Sequence, residues 1–202
     1  MHHNFPAGTN SPLADFVSHI HPVKQEVIQY INKHSFPHFM RRGEVLIRPG
    51  EYSSHLYLIC KGAVRAYMIE GSKEITTWIC AENEIITSIR GFLLREPAVE
   101  YIEAIEDCEL AGASYDTLQY LYQHHIEMNV MGRKLLEQYY GAAEERNIIS
   151  RLTRAESKYN YFVERNGHLL NRIPLKIIAS YLGMTTETLS RIRKRISKPP
   201  KS

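Results

Sequence analysis

The sequence predicts an α+β fold in which a β-rich region is followed by a long helix and a small helical domain. Three observations support this. Short β-branched and aromatic segments alternate with glycine-containing turns between residues 36 and 114. Apolar residues then recur at helical spacing over 127–152, and a compact helical pattern follows over 154–198. Strands that precede the helices, with no long helix between them, indicate an antiparallel sandwich or barrel.

Composition narrows the class of protein. The 202 residues are 44% hydrophobic and 23% charged, so the chain can bury a core. No run approaches the ~18 apolar residues of a membrane helix, and residues 1–12 lack a signal-peptide pattern. We therefore expect a cytoplasmic protein that does not contact a membrane. The scattered Cys60, Cys80 and Cys108 predict no disulfide framework, zinc site or cysteine-held iron–sulfur cluster, and no metal-ligating residues are assigned.

The amino-terminal half reads as one helical stretch followed by strands. Residues 13–34 are predicted to be helical, because apolar residues such as Val27 and Ile31 recur at helical spacing. From Phe36 onward the sequence pattern is that of β-strands, with short β-branched and aromatic runs between turns. The predicted strands are 44–47, 56–60, 63–69, 74–80, 85–86, 101–104 and 109–113.

A long helix is predicted after a short one near Leu118 and Leu121. It lacks proline, and about 25 residues would span ~37 Å, so its apolar stripe needs a partner along its length. The stripe consists of Met128, Met131, Leu135, Tyr139, Ala142, Ile149 and Leu152. It could pack on the β domain of the same chain, but we favour pairing with a second copy in a homodimer.

The carboxyl-terminal helices carry the spacing of a helix-turn-helix. One helix covers Ala155–Arg165, a second begins at Pro174, and a third begins after Thr185. Ala179 is small where two helices would cross, and Gly183 permits the tight turn between them. Apolar residues occupy the positions that such a motif buries: Ile178, Leu182, Met184, Leu189 and Ile192. We therefore expect three parts, namely 1–125, 126–153 and 154–202.

The third helix divides into an apolar and a polar face. Leu189, Ile192 and Ile196 should point inward. The opposite face carries side chains able to bond to base edges or phosphates. The candidate DNA-binding residues are Thr185, Thr186, Glu187, Ser190, Arg191, Arg193, Lys194, Arg195 and Lys198.

Charge is distributed unevenly along the chain. Residues 1–145 contain 12 Lys and Arg against 19 Asp and Glu, whereas residues 146–202 contain 13 against 3. The two parts thus carry −7 and +10, which together give the net +3. A basic segment on an acidic body indicates a polyanionic partner such as double-stranded DNA, although a solvated cationic tail would have the same composition.

Two stretches resemble the Crp/Fnr superfamily of bacterial transcription regulators. Residues 184–192, Met-Thr-Thr-Glu-Thr-Leu-Ser-Arg-Ile, resemble its helix-turn-helix, and the glycine-punctuated segment 43–62 resembles half of its cyclic-nucleotide-binding β-roll. The resemblance implies a jelly-roll-like antiparallel β-roll that senses a small effector, followed by a dimerisation helix and a DNA-binding domain. It also implies that the protein is not an enzyme. It also places Glu187 and Arg191 at base-reading positions, and it implies contact with RNA polymerase for an activator.

The chain departs from the superfamily in its effector-binding residues. Cyclic-nucleotide binders carry a Gly-Glu pair and a later Arg, but the stretch that corresponds to the pair here is 85–90, Ile-Ile-Thr-Ser-Ile-Arg, and the position of the Arg falls at Ala98-Val99. A buried phosphate without a charged partner is costly, so we expect no binding of cyclic AMP. The effector is unknown, and the roll could have none. The candidate pocket residues are Thr87, Ser88, Ile89, Arg90, Ala98, Val99, Tyr139 and Ala143.

The sequence also differs from members of the superfamily in its cysteine positions and in the segment after the third helix. No cysteine precedes Cys60, so the amino-terminal cluster of the oxygen-sensing branch is missing, whereas the scattered histidines leave haem open. The sequence after the third helix, 197–202, shows no evident β wing.

Two alternative functions remain open from the sequence. A cupin-like metalloenzyme would need clustered histidines, yet His55 is the one histidine within 40–114. A cyclic-nucleotide-binding regulatory subunit would explain the roll, but it would leave the basic segment without a role.

Overall fold

The structure is a computed structural model that describes Phe5 and residues 9–196. Its strands are β1 (Ser35–Met40), β2 (Val45–Ile47), β3 (His55–Lys61), β4 (Val64–Glu70), β5 (Lys73–Cys80), β6 (Ile85–Ile86), β7 (Tyr101–Ala104) and β8 (Cys108–Ser114). Its helices are α1 (Pro12–Ile20), α2 (Gln25–His34), α3 (Ile89–Phe92), α4 (Tyr115–His124), α5 (Ile126–Arg151), α6 (Ala155–Asn166), α7 (Leu175–Tyr181) and α8 (Thr186–Ile196). None of these helices is long and apolar enough to cross a bilayer.

The eight strands form two four-stranded sheets, which confirms the α+β class and the antiparallel β-roll. One sheet has the order β1-β8-β3-β6 and the other β2-β7-β4-β5. In the first, β8 pairs antiparallel with both β1 and β3, so Gly112 lies opposite Phe36 on one side and Tyr57 on the other. A Cβ on Gly112 would lie 2.6 Å from the Phe36 ring and 3.0 Å from the Tyr57 ring. Glycine is therefore required where these two rings meet above β8.

The chain divides into two compact units. The first contains the described residues up to Ala66 together with Ile79–Tyr139, and the second contains Tyr67–Trp78 together with the described residues from Tyr140 onward. This division differs from the expected boundaries after 125 and 153. The long helix α5 contributes to both units, and the tip of the β4–β5 hairpin belongs to the second.

The core of the first unit lies between helices and one face of a sheet. Apolar side chains of α1, α2, α4 and the start of α5 pack against alternate residues of β3 and β8. Val27 and Ala111 are fully buried at this contact. The buried members of the cluster are Leu13, Ala14, Val17, Val27, Ile31, Leu58, Ala111, Ala113, Leu121, Met128 and Met131.

The second unit has its own core beneath α8. Phe162 of α6, Ile178 of α7 and Leu189 of α8 are each at most 1% exposed. The Ser180 hydroxyl connects the hairpin tip to the helices of this unit. Ser180 Oγ donates a hydrogen bond to the Glu74 carbonyl oxygen at 2.7 Å and accepts one from the Thr76 N–H at 2.9 Å.

Three local expectations are corrected by the structure. The stretch 13–34 forms two helices rather than one, because the chain is extended at His21 and Pro22 follows it. Strand β1 and the four-residue helix α3 were not predicted. The apolar residues of β1 do not alternate regularly with polar ones, and α3 is too short to show a helical period. Pro174 precedes α7 as its N-cap residue instead of forming the first turn.

Candidate functional site

The turn between α7 and α8 has the hydrogen bonds of a Schellman motif. The Met184 N–H bonds to the Ala179 carbonyl oxygen at 3.0 Å, and the Gly183 N–H bonds to the Ser180 carbonyl oxygen at 3.1 Å. Gly183 has φ +64°, the left-handed conformation that this motif requires. The tight turn predicted from Gly183 is therefore present, and Ala179, 2% exposed, lies where the two helices pack.

Helix α8 begins at a capping threonine and buries its apolar face. Thr185 Oγ1 accepts a hydrogen bond from the Thr188 N–H at 3.2 Å. Leu189 is 0% exposed and Ile192 is 6% exposed, as predicted. Ile196 does not follow this prediction: it is 48% exposed, because the last turn of α8 extends past the buried part of the unit.

The opposite face of α8, here called the recognition face, consists of Glu187, Ser190, Arg191 and Lys194, and all four side chains are exposed. The carboxylate of Glu187 accepts a hydrogen bond from its own backbone N–H and another from Thr185. These bonds, with a smaller contribution from Arg191, lower the pKa of Glu187. Glu187 is thus held ionised at the start of the helix, where a negative charge is also favoured by the helix dipole.

The other candidate phosphate contacts differ among themselves. Arg195 forms an ion pair with Glu156 of α6, so it would have to exchange this partner for a phosphate. Arg193 is half-buried, whereas Thr185 is exposed and Thr186 is half-buried. Lys198 lies outside the described residues.

Helix α5 corrects the predicted dimer stripe. Met128 is 1% exposed and Met131 4%, and both belong to the core of the first unit, while Ile149 is 4% exposed. These side chains are covered within their own chain, so they cannot form the surface between two copies. Leu135, Tyr139, Ala142 and Leu152 are half-buried. Helix α5 has two apolar stripes, and the predicted dimer contact used the one with the more regular spacing.

A second apolar stripe on α5 was missed. Leu136 is 58% exposed and Tyr140 is 77% exposed, four residues apart, and Ala143 follows at the next position of a heptad-like spacing. The signal was present in the sequence, because Leu136 and Tyr140 interrupt the polar side of the helix. Choosing between the stripes required knowing which one the roll covers.

The candidate effector pocket lies mainly in the roll loop, residues 85–99, and its hydroxyls bond within the chain. Ser88 is 0% exposed, and its Oγ accepts a hydrogen bond from the Gly91 N–H at 3.2 Å, which caps α3. Thr87 Oγ1 donates a hydrogen bond to the His55 carbonyl oxygen at 2.9 Å and also contacts Ser53 Oγ at 3.1 Å. These groups support the loop itself.

The two arginines of the roll loop also have internal partners. Arg90 forms an ion pair with Glu96, with 2.5 Å between nitrogen and oxygen. The Arg95 guanidinium lies 4.6 Å from the centre of the Tyr115 ring, a cation–π distance, and donates a long hydrogen bond to the Ser53 carbonyl oxygen.

The remaining pocket candidates are not brought to one point. The Tyr139 hydroxyl accepts a hydrogen bond from the Ile85 N–H at 2.5 Å and donates one to the Ile85 carbonyl oxygen at 2.7 Å. Ala98 is buried and bonds through its backbone to Gly50 and Glu51. Ile89 and Val99 are exposed. Ala143 is exposed and belongs to the second unit.

Side chains suited to metal or nucleophilic chemistry are dispersed. Within the part of the chain that the structure describes, no three His, Cys, Asp or Glu residues come together in a way that could hold a metal ion. All three cysteines are free thiols. Burial raises the pKa of the Cys108 thiol to about 11, so this cysteine is a poor nucleophile at neutral pH.

One family profile matches the β-rich part of the chain. Residues 37–125 match the sequence profile of the cyclic nucleotide-binding domain. This range begins within β1 and ends after α4. The match agrees with the predicted β-roll. No curated protein matches the sequence at a significant level.

Solved structures share the fold over most of the chain. FixK2 from Bradyrhizobium japonicum has a TM-score of 0.67 at 20% identity, over 80% of this chain and 84% of that chain. A protein from Eubacterium rectale, described as a transcriptional regulator of the Crp/Fnr family, has a TM-score of 0.68 at 14% identity, over 92% and 86%. The catabolite activator protein of Thermus thermophilus has a TM-score of 0.53 at 19% identity, over 90% and 86%.

These likenesses confirm the predicted resemblance at the level of the fold. Residues 37–125 match the profile of a cyclic nucleotide-binding domain, and the chain is similar in fold to solved structures that include one described as a Crp/Fnr regulator. At 14–20% identity, they do not carry over an effector or a DNA sequence.

Proposed function

We propose that this chain is a non-enzymatic, cytoplasmic transcription regulator that binds palindromic double-stranded DNA as a homodimer. The observation that carries the proposal is the division of α8 into two faces. Leu189 and Ile192 anchor the helix in the second unit, while Glu187 and Arg191 stand exposed. A helix held by one face presents the other to the major groove.

Each exposed group has a role that follows from its chemistry. Arg191 can donate two hydrogen bonds to guanine O6 and N7, and the ionised Glu187 can accept one from a cytosine amino group. Ser190 can form a hydrogen bond with guanine or with cytosine. Lys194 adds positive charge close to the phosphates. Arg195 adds a phosphate contact once its pair with Glu156 opens.

The proposed dimer uses the exposed stripe of α5. Leu136, Tyr140 and Ala143 share one face, and two such helices would bury these side chains against each other. A two-fold axis along this contact would place the two recognition helices in successive major grooves, about 34 Å apart, which corresponds to a palindromic operator. An activator of this kind would also contact RNA polymerase.

The roll loop is proposed to have no cyclic-nucleotide phosphate site. Ala98 and Val99 occupy the positions where a cyclic phosphate would need a cation and a hydroxyl, and Arg90 is paired with Glu96. A buried phosphate without a charge-assisted partner would be strongly disfavoured. Titration of the purified protein with cyclic AMP should give no heat of binding at micromolar concentrations. A micromolar dissociation constant would contradict this part of the proposal.

The experiment that tests the whole proposal is selection of bound duplexes from a random pool, combined with the mass of the protein in solution. We expect selected sequences with two inverted half-sites whose centres lie about 10 base pairs apart, and a dimeric mass. Leu136→Glu with Tyr140→Glu should yield a monomer that no longer selects a palindrome. A monomeric wild-type protein, or no enrichment of any duplex at low salt, would overturn the proposal.

A further inference from the structure

The first unit contains an apolar cavity, partly open to the surface, that none of the proposed functions uses. It has a volume of about 90 Å³ and lies between α1, α2, α4 and α5 on one side and the sheet residues Leu56, Ile85 and Ala113 on the other. All of its lining residues fall within the first unit. The roll-loop residues Thr87, Ser88 and Arg90 do not line it.

The chemistry of the cavity wall is almost uniformly hydrocarbon. Among the lining residues, Thr117 and Tyr122 carry polar side-chain atoms. The Thr117 hydroxyl is already paired with Ser114 Oγ at 2.9 Å. A charged or strongly hydrogen-bonding ligand would therefore lose its hydration without compensation at this site. Water is disfavoured as well, because a buried water needs two or more polar partners.

We propose that this cavity is a binding site for a small, neutral, apolar molecule. A dry engineered cavity of 150 Å³ lined by aliphatic and aromatic side chains is known to bind benzene and xenon. The present cavity, at about 90 Å³, is smaller than that one, so xenon should bind more readily than benzene. The cavity wall therefore excludes charged ligands and large ligands, and it does not recognise a particular polar group.

One wall of the site can adapt to its occupant. Met128 and Met131 of α5 line the cavity and are buried, at 1% and 4% exposed. Methionine is unbranched and polarisable, so its side chain can adopt another rotamer and follow the shape of an apolar ligand. Leu121 of α4 and Val17 of α1, both buried, form stiffer parts of the wall.

A bound molecule would contact the helices and the sheet at once. Because it binds the folded unit and has no site in the unfolded chain, it stabilises the first unit by RT ln(1 + L/Kd), which increases with the logarithm of the ligand concentration L. It should therefore raise the unfolding temperature and alter the signals of methyl groups that face the cavity. Neither effect depends on DNA binding, so this inference is independent of the proposed function.

The test uses two alanines of the same strand. Ala113 and Ala111 both lie on β8, are two residues apart, and therefore face the same side of the sheet. Both belong to the core cluster, but Ala113 lines the cavity and Ala111 does not. Ala113→Val adds methyl groups into the space that a ligand would fill, whereas Ala111→Val adds the same groups to packed surroundings.

Binding would be measured on the full chain with xenon, from the 129Xe chemical shift, and with benzene, from the unfolding temperature. We expect a saturable xenon shift and a benzene-dependent rise in unfolding temperature for the wild type. Ala113→Val should reduce both by at least fivefold, while Ala111→Val, although less stable, should retain them. Equal retention or equal loss in the two variants, or no binding by the wild type, would overturn the proposal.

A second variant covers a failure of either alanine variant to fold. Leu118→Phe enlarges a half-buried side chain of α4 that lines the cavity. It should also weaken xenon and benzene binding severalfold. Unchanged binding by a folded Leu118→Phe protein would count against the site.

Discussion

The recognition face of α8 and the roll loop contain similar residue types in opposite situations. In the roll loop, Ser88 is buried as the cap of α3, and Arg90 is paired with Glu96. On α8, Ser190 and Arg191 are exposed, while the other side of the helix is anchored by Leu189. Serine therefore supports the local fold in one region and is presented outward in the other. The two arginines are both exposed and differ in their partners, because Arg90 pairs with Glu96 whereas Arg191 donates a hydrogen bond to Thr188 of its own helix.

This difference teaches which polar groups to regard as functional. A hydroxyl that satisfies a buried backbone N–H is needed for folding, because leaving that N–H unpaired is costly. An exposed row of polar side chains adds little to stability. The proposed function explains this row, because its residues have the spacing of side chains that contact bases from one face of a helix.

The largest effect is expected for Arg191→Ala. Loss of its bidentate contact should weaken binding to the selected duplex by about 1–3 kcal/mol and relax the preference at one base position. Fluorescence anisotropy with the selected duplex and with single-base variants would measure both. The unfolding temperature should change little, because Arg191 is exposed.

The matched control is Arg154→Ala, which removes one exposed positive charge from the same unit but from outside α8. It should leave the base preference unchanged. If Arg191→Ala weakened all duplexes equally, in the manner of the control, Arg191 would contact phosphates rather than bases.

The next effect concerns the roll loop, where Ser88→Ala should act on stability alone. The variant leaves the Gly91 N–H without its capping oxygen, and loss of an N-cap costs about 0.5–2 kcal/mol of unfolding free energy. Chemical denaturation would measure the loss, with the exposed Ser54→Ala as the control. The base preference should be unchanged. Unaltered stability would mean that Ser88 is available to a ligand after all.

A smaller effect of opposite sign is expected for Glu156→Gln. The Glu156 carboxylate holds Arg195 in an exposed ion pair, and such pairs contribute about 0–1 kcal/mol. Removing the negative charge releases Arg195 for a phosphate. Affinity at low salt should rise about two- to fivefold for specific and nonspecific duplexes alike, and the dependence on salt should steepen by up to about one phosphate contact. Reduced affinity would show that the pair orients α8 productively.

The turn between α7 and α8 was predictable because its requirements are local. The turn needs a residue with positive φ, which Gly183 supplies, and a small residue at the crossing, which Ala179 supplies. Both lie in the same short segment, 178–192, as the apolar positions that they help to pack. Spacing along the chain was therefore sufficient to place the exposed and the buried faces of α8, except at Ile196 in its last turn.

Other features depend on contacts between distant residues and could not be inferred from spacing. Helix α5 has two apolar stripes, and the roll covers the one that contains Met128 rather than the one that contains Leu136. The hydrogen bonds between Ser180 and the β4–β5 hairpin join residues more than 100 positions apart. The residues of the predicted effector pocket were chosen by resemblance, and their internal hydrogen bonds could not be seen in the sequence.

The smallest effect extends the contrast to protonation. Burial lowers the pKa of His38 in the roll, against a weaker opposing influence of Glu44, and its ring lies 5.3 Å from that of Tyr57. The folded state therefore favours neutral His38. Its contribution to stability is complete above the pKa of about 6.5 in the unfolded chain and is lost as the pH falls through the lower folded pKa.

We therefore expect the unfolding temperature to fall between pH 7 and pH 5, and to fall less in His38→Phe than in the wild type. The exposed His19→Gln is the control and should follow the wild type. Over the same range Glu187 remains ionised, because hydrogen bonds lower its pKa. The base preference at the position read by Glu187 should thus stay constant while stability changes. A preference that changed together with the unfolding temperature would mean that the roll and the recognition face titrate as one system.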